Sequence, residues 1–259
     1  MLKNRRWFLL GLSSLFLGLL GLTISDPAHA ATIATNDFKS VIDNEIKYIK
    51  TRLGEPKVEK AFGTLKTTAF VIAHLAQTQM DVKDSDPKQL ATLRDAALKI
   101  AGALNKKDIA GATKLVSTLT ADIEADASVD TKPVKLIGLH DFELHTLMSP
   151  FRSEKANGRG YEKAVRDLAK GVKTTAVADA TILAYKLDAY ADLTAEMAPA
   201  DAGATKTKAN WVKWSSERKK HAGDAVKAMK TGKGGEKAAA ASFKKLDASC
   251  TSCHNVFRE

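Results

Sequence analysis

The chain of 259 residues ends in Cys250-Thr251-Ser252-Cys253-His254-Asn255-Val256-Phe257-Arg258-Glu259, and these ten residues hold its only two cysteines. Cys-x-x-Cys-His is the spacing by which two thiols attach a c-type haem. On a helix, Cys250 and Cys253 stand one turn apart on one side, within reach of two vinyl groups along one macrocycle edge. His254 follows at once and offers an imidazole as the proximal iron ligand. The same spacing serves a lone disulfide, a thioredoxin-type dithiol or half a zinc site. A thioredoxin site needs βαβ surroundings and a zinc site needs further ligands at metal spacing, and the sequence shows neither. One covalent haem c, with its iron, is therefore the expected cofactor. Phe257 could pack on the macrocycle or close the core, and Arg258 lies one turn after His254, where its cation could meet a propionate.

The elements that must position this motif are helical. Proline is scarce, and alanine, lysine and leucine are abundant. After Ala31, apolar residues recur at helical spacing in four stripes: Phe38 to Leu53, Val58 to Ala76, Leu90 to Leu104 and Ala112 to Ile123. Gly54-Glu55-Pro56 breaks the first from the second, and Asp86-Pro87 reads as a helix start. Residues 127–133 read as a linker. Four further segments follow: Leu136 to Phe151, Tyr161 to Met197, Trp211 to Met229, and Ala239 to Phe257. The last stripe runs directly into the haem cysteines, which predicts a haem packed inside the bundle. No β-alternation competes. The fold class is all-α, with two tandem four-helix bundles over 31–130 and 131–259. Short identities in matching order, Lys66-Thr67-Thr68-Ala69 with Lys173-Thr174-Thr175-Ala176 among them, mark the first bundle as a degenerate repeat that lacks the haem residues.

The first thirty residues read as a secretory signal. Lys3, Arg5 and Arg6 precede an apolar run from Trp7 to Ile24, and Ala28-His29-Ala30 supplies a small-x-small cleavage pattern. The membrane is expected to be met only through that segment before cleavage. Formal net charge is +10 over the whole chain. No basic patch interleaved with aromatics suggests nucleic acid, whereas acidic partners or anionic lipid suit the charge.

The longer string Cys250-x-x-Cys253-His254-x-x-Phe257-Arg258, at the end of a helical domain, resembles cytochrome c′ and its low-spin c-556 relatives. The resemblance covers the chain from near Lys135 onward. It implies a four-helix bundle with the haem motif near the end of the last helix, and haem attachment outside the cytoplasmic membrane, hence a periplasmic protein. In the low-spin relatives a methionine from the first helix ligates the iron. Met148 holds a compatible place, on a stripe with Leu144, Leu147 and Phe151. His145 borders the same face and is the rival sixth ligand, while His140 lies further toward the helix start. A filled sixth position predicts an electron carrier that exchanges electrons with a redox partner protein. The alternative is a high-spin protein that binds a small gas such as nitric oxide. No distal acid–base pair is evident, so an enzyme is not expected. His74 and His221 read as surface and bundle-lining residues. The haemless half is expected to dock on the haem half as a built-in partner.

Overall fold

The computed structural model describes residues 33–257; the expected signal segment and Arg258 lie outside the described residues. Among the described residues the chain is helical, with one isolated bridge between Ala202 and Lys206. Its helices are α1 (Thr35–Leu53), α2 (Phe62–Gln79), α3 (Pro87–Asn105), α4 (Ile109–Ser117), α5 (Leu144–Leu147), α6 (Tyr161–Lys170), α7 (Val177–Glu196), α8 (Lys208–Lys230) and α9 (Gly235–Phe257).

The first four helices follow the predicted stripes. α1 buries Phe38, Ile42, Ile46, Ile49 and Leu53 along one side. It ends at Gly54, and Lys57 turns the chain with φ of 63°. Asp86 accepts hydrogen bonds from the backbone N–H groups of Lys88 and Gln89, with Pro87 in the first turn of α3. Asp108 caps α4 through the Gly111 N–H at 2.8 Å. α4 stops at Ser117, so Leu119 reaches the core from beyond the helix.

α2 and α7 are buried on most faces and form the middle of one continuous apolar core, to which both sequence halves contribute. α1 and α2 both pack on α7. His74, expected at the surface, is buried instead, with Nε2 3.4 Å from the Asp192 carboxylate of α7. A helix that packs on several sides at once has no outer face to give it.

The second half departs from its predicted pattern in two places. The helix expected over 136–151 is a turn, the short α5 and a second turn at Ser149–Phe151. His140 and Asp141 adopt φ of 51° and 50°, and Pro150 has no N–H to donate. Carbonyls left outside a helical ladder are met from α2. Lys66 Nζ donates to the His140 carbonyl at 2.9 Å and the Asp141 carbonyl at 3.2 Å. The Thr67 hydroxyl donates to the Thr146 carbonyl at 2.6 Å, and the Thr64 hydroxyl to the Asn157 carbonyl at 2.7 Å. The helix expected from Tyr161 to Met197 breaks between Lys170 and Val177. Lys173-Thr174-Thr175-Ala176 thus leads into α7, whereas its counterpart from Lys66 to Ala69 lies inside α2. The linker is pinned as well: Arg94, only 1% exposed, donates to the carbonyls of Asp130 and Lys132 at 2.7 Å each.

One charged knot joins the halves. The Glu45 carboxylate of α1 has no exposed surface and meets Lys186 of α7 and Arg159, the latter at 2.5 Å. Arg159 also lies over the Tyr48 ring, 3.9 Å from its centroid. Burial pushes the Glu45 pKa up, but Lys186 and Arg159 overcome it and hold the carboxyl below its usual range. Removing one member of such a pair leaves uncompensated buried charge. Glu45→Gln should therefore cost about 3–5 kcal/mol of stability by denaturant unfolding at pH 7.

A second cluster gives a pH signature. Lys219 of α8 donates to both oxygens of Asp192 at 2.7 and 2.8 Å. Asp188, one turn earlier on α7, is pushed up to about 7 by burial; Lys219 and His74 oppose that shift and Asp192 adds to it. Between about pH 4 and pH 7 the folded state then holds a proton that the unfolded state has lost. The Asp188 contribution to stability must fall as pH rises through that window. Asp188→Asn should flatten this part of the pH–stability profile and stabilise the protein at pH 8 by roughly 2–4 kcal/mol. Parallel profiles for variant and wild type would show the reading to be wrong.

Candidate functional site

The haem-type motif sits in the last two turns of α9, whose inner face buries Ala239, Phe243, Leu246, Ser249 and Cys253. Gly232 and Gly234 shape the turn before it at φ of 79° and 95°, a left-handed backbone that side chains disfavour. α9 packs closely on α8 and also on α6. The Ser249 hydroxyl donates to the Trp214 carbonyl at 3.2 Å, which ties the motif's helix to α8.

A cavity of about 230 Å³ lies between α6, α7, α8, α9 and the turn after α5. Cys250 and His254 line it from α9, and Met148 lines it from the end of α5. Phe151, Val165, Leu187, Leu246 and the Tyr190 ring supply apolar walls. Glu162, Arg166 and Asp247 border it, and their side chains are 39%, 57% and 35% exposed, so the open side lies there. The enclosed volume is below the ~300 Å³ at which small-molecule sites begin. A macrocycle would therefore extend through the open side.

The candidate residues divide into those the cavity gathers and those it does not. Cys250, His254 and Met148 converge. Cys253 is 3% exposed and shares with Cys250 the influence of the Arg218 cation. His145 is exposed, with Nε2 2.8 Å from an Arg152 nitrogen, and does not line the cavity. His140 packs against Gly102 of α3 and tilts on the Phe70 ring at 6.4 Å. Phe257 meets Trp211 and Trp214 edge-on at 4.9 and 5.9 Å, so it closes the end of the α8–α9 pair. His221 lies on α8, 3.8 Å from Asp224.

The thiols carry further information. Both cysteines are free. Burial pushes Cys250 up to about 11 and also raises Cys253, with Arg218 opposing both shifts. A disulfide-exchange dithiol has the opposite character, with a depressed thiol at a helix N-terminus. Here the pair lies at the C-terminal end of a long helix, where the dipole disfavours a thiolate. Among the described residues no group of three or more His, Cys, Asp or Glu side chains could hold a metal. A protein-only zinc centre therefore has no support there. Among the described residues, no helix is long and apolar enough to cross a membrane.

Arg218 is the site residue that sequence reading did not single out. It lines the cavity, donates to the Ser215 hydroxyl at 2.8 Å, and keeps a buried Nε with no hydrogen-bond partner among the described residues. Its signal was an arginine standing within the apolar stripe of α8. Tyr190 likewise stood within a stripe, with nothing to mark its ring as a cavity wall.

No protein-family model matches the chain, and neither a curated protein nor a solved structure proved significantly similar to it.

The raised thiols predict slow chemistry in the haem-free chain. At pH 7.5, iodoacetamide should modify folded Cys250 at least about tenfold more slowly than the same thiol in denaturant. Equal rates would place a reactive thiolate at the site.

Proposed function

We propose that the chain is an exported, cytochrome c′-like electron-transfer protein carrying one covalent haem c. One observation supports this reading above others. Cys250, His254 and Met148, the last far from the others in sequence, meet on one largely apolar cavity. In this reading α6 to α9 form the haem-bearing bundle, and α1 to α4 form a haemless bundle docked on it through α1, α2 and α7. The protein works in the periplasm and exchanges electrons with a redox partner protein.

Haem supplies reversible one-electron iron chemistry when bound. The chain's own residues do the rest. Cys250 and Cys253 would hold the haem through thioether bonds, and His254 and Met148 would offer an imidazole and a thioether to its iron. The Arg218 guanidinium, with its unmatched Nε, would hold one of its carboxylates. Val165, Leu187 and Leu246 would give it an apolar wall that excludes water. Imidazole and thioether ligation together would raise its potential.

The exported protein should show an intact mass raised by a single haem that survives acid-acetone extraction. Extractable haem, or none, would overturn the reading. The wild-type spectrum should be low-spin. Met148→Ala should turn it high-spin and let carbon monoxide bind, while His145→Ala should leave it unchanged. A low-spin spectrum lost only in His145→Ala moves the ligand to His145. A wild type that is already high-spin favours small-gas binding over electron transfer.

A further inference from the structure

The charge of this chain is unevenly placed. Residues 31–207 carry 25 basic and 24 acidic side chains, whereas 208–257 carry eleven basic and four acidic ones. Nearly the whole positive excess of the mature chain thus sits on α8, α9 and the turn between them. This is the helix pair that bears the haem motif.

The lysines lie on the outer faces of that pair. α8 buries Trp211, Ser215, Ala222 and Met229 and turns Lys213, Lys220 and Lys227 outward at seven-residue spacing. α9 turns Lys237, Lys244 and Lys245 outward. Lys220 pairs with Asp224 at 2.8 Å. Lys213, Lys227, Lys237, Lys244 and Lys245 have no ion pair among the described residues. Thr251 lies two turns beyond Lys244 on the same face of α9, is exposed, and borders the cavity. The basic face therefore runs up to the cavity's edge.

We propose that the outer face of α8 and α9 is the docking surface for an acidic electron-transfer protein. This rests on the haem reading above and adds the place and charge of the encounter. Two rows of cations on rigid, closely packed helices raise the local concentration of an anionic partner and orient it. The exposed positions of α9 between and beyond these lysines are small: Ala241, Ala248, Thr251, Ser252 and Asn255. A partner can thus approach the helix backbone beside the attached macrocycle. A membrane surface fits this face less well. A helix that lies in a bilayer interface needs several large apolar side chains to insert, and on α8 and α9 Val212 alone is exposed among the described residues.

The test uses the holoprotein, after its visible spectrum has shown bound haem; absence of haem at that stage overturns the underlying reading separately. Reduced plant-type ferredoxin, an acidic one-electron donor, serves as the probe, passing one electron to the ferric haem. Its rate should fall with rising ionic strength. Lys220→Glu, Lys244→Glu and Lys245→Glu together should slow it by about tenfold or more at low salt. Lys99→Glu, Lys106→Glu and Lys114→Glu, an equal charge change on α3 and α4, should not. Carbodiimide cross-linking should join ferredoxin carboxylates to lysines of α8 and α9, a readout independent of electron flow. Equal slowing by both triple variants, or cross-links spread over α1 to α4, would overturn the proposal. So would a triple variant that keeps its ferredoxin rate but loses binding to vesicles containing phosphatidylserine, which would make the face a lipid contact.

Discussion

A fully buried carboxylate is the constraint on which the rest of this structure depends. Glu45 can remain ionised inside the core only because Lys186 and Arg159 both reach it. These three groups come from α1, from α7 and from the turn before α6. Satisfying one charge therefore fixes three elements against one another. Buried salt bridges are weak sources of net stability but demanding of geometry. The knot therefore sets the relative placement of the halves more than it strengthens them. The Tyr161 and Tyr190 rings pack beside it at 5.9 Å from each other, and Phe151 sits edge-on to both. Tyr190 and Phe151 are also walls of the cavity. The first half thereby reaches the candidate cavity through a chain of packed rings.

The same logic explains why the segment between the halves is irregular. Residues 136–160 cross α2, and α2 presents polar side chains there: Thr64, Thr67 and Lys66. Each donates to a backbone carbonyl of that segment, which need not close a helical ladder of its own. Met148 ends the short helical turn of α5 and lines the cavity, whereas His145 of the same turn is exposed beside Arg152.

Function, on this view, is divided by helix pair. α8 and α9 carry the attachment motif on the inside and the positive charge on the outside, while α6, α7 and the Met148 turn complete the cavity. Cys250, the unmatched Arg218 nitrogen and the apolar walls are the groups that the proposed haem would meet. The charged cluster of Asp188, Asp192, His74 and Lys219 lies on α7 between α2 and α8. Burial there pushes Asp188 up to about 7.

Helical class, the first three helix starts and stops, and the haem-type motif were all legible in the residues. They depend on local chemistry: apolar spacing, a proline after a capping aspartate, and two thiols one turn apart. Met148 was named from a stripe on a helix that the structure breaks up, although it does line the cavity. What the residues could not reveal depends on partners distant in sequence. The amphipathic pattern over 136–151 suited a helix, but donors on α2 made another backbone path equally satisfied. His74 lay off its stripe and still became buried, because α2 packs on several sides. Arg218 looked like an interruption in α8 until the cavity gave its side chain a direction. Glu45 has no basic residue one helical turn away on α1, and only the tertiary structure brought Arg159 and Lys186 to it.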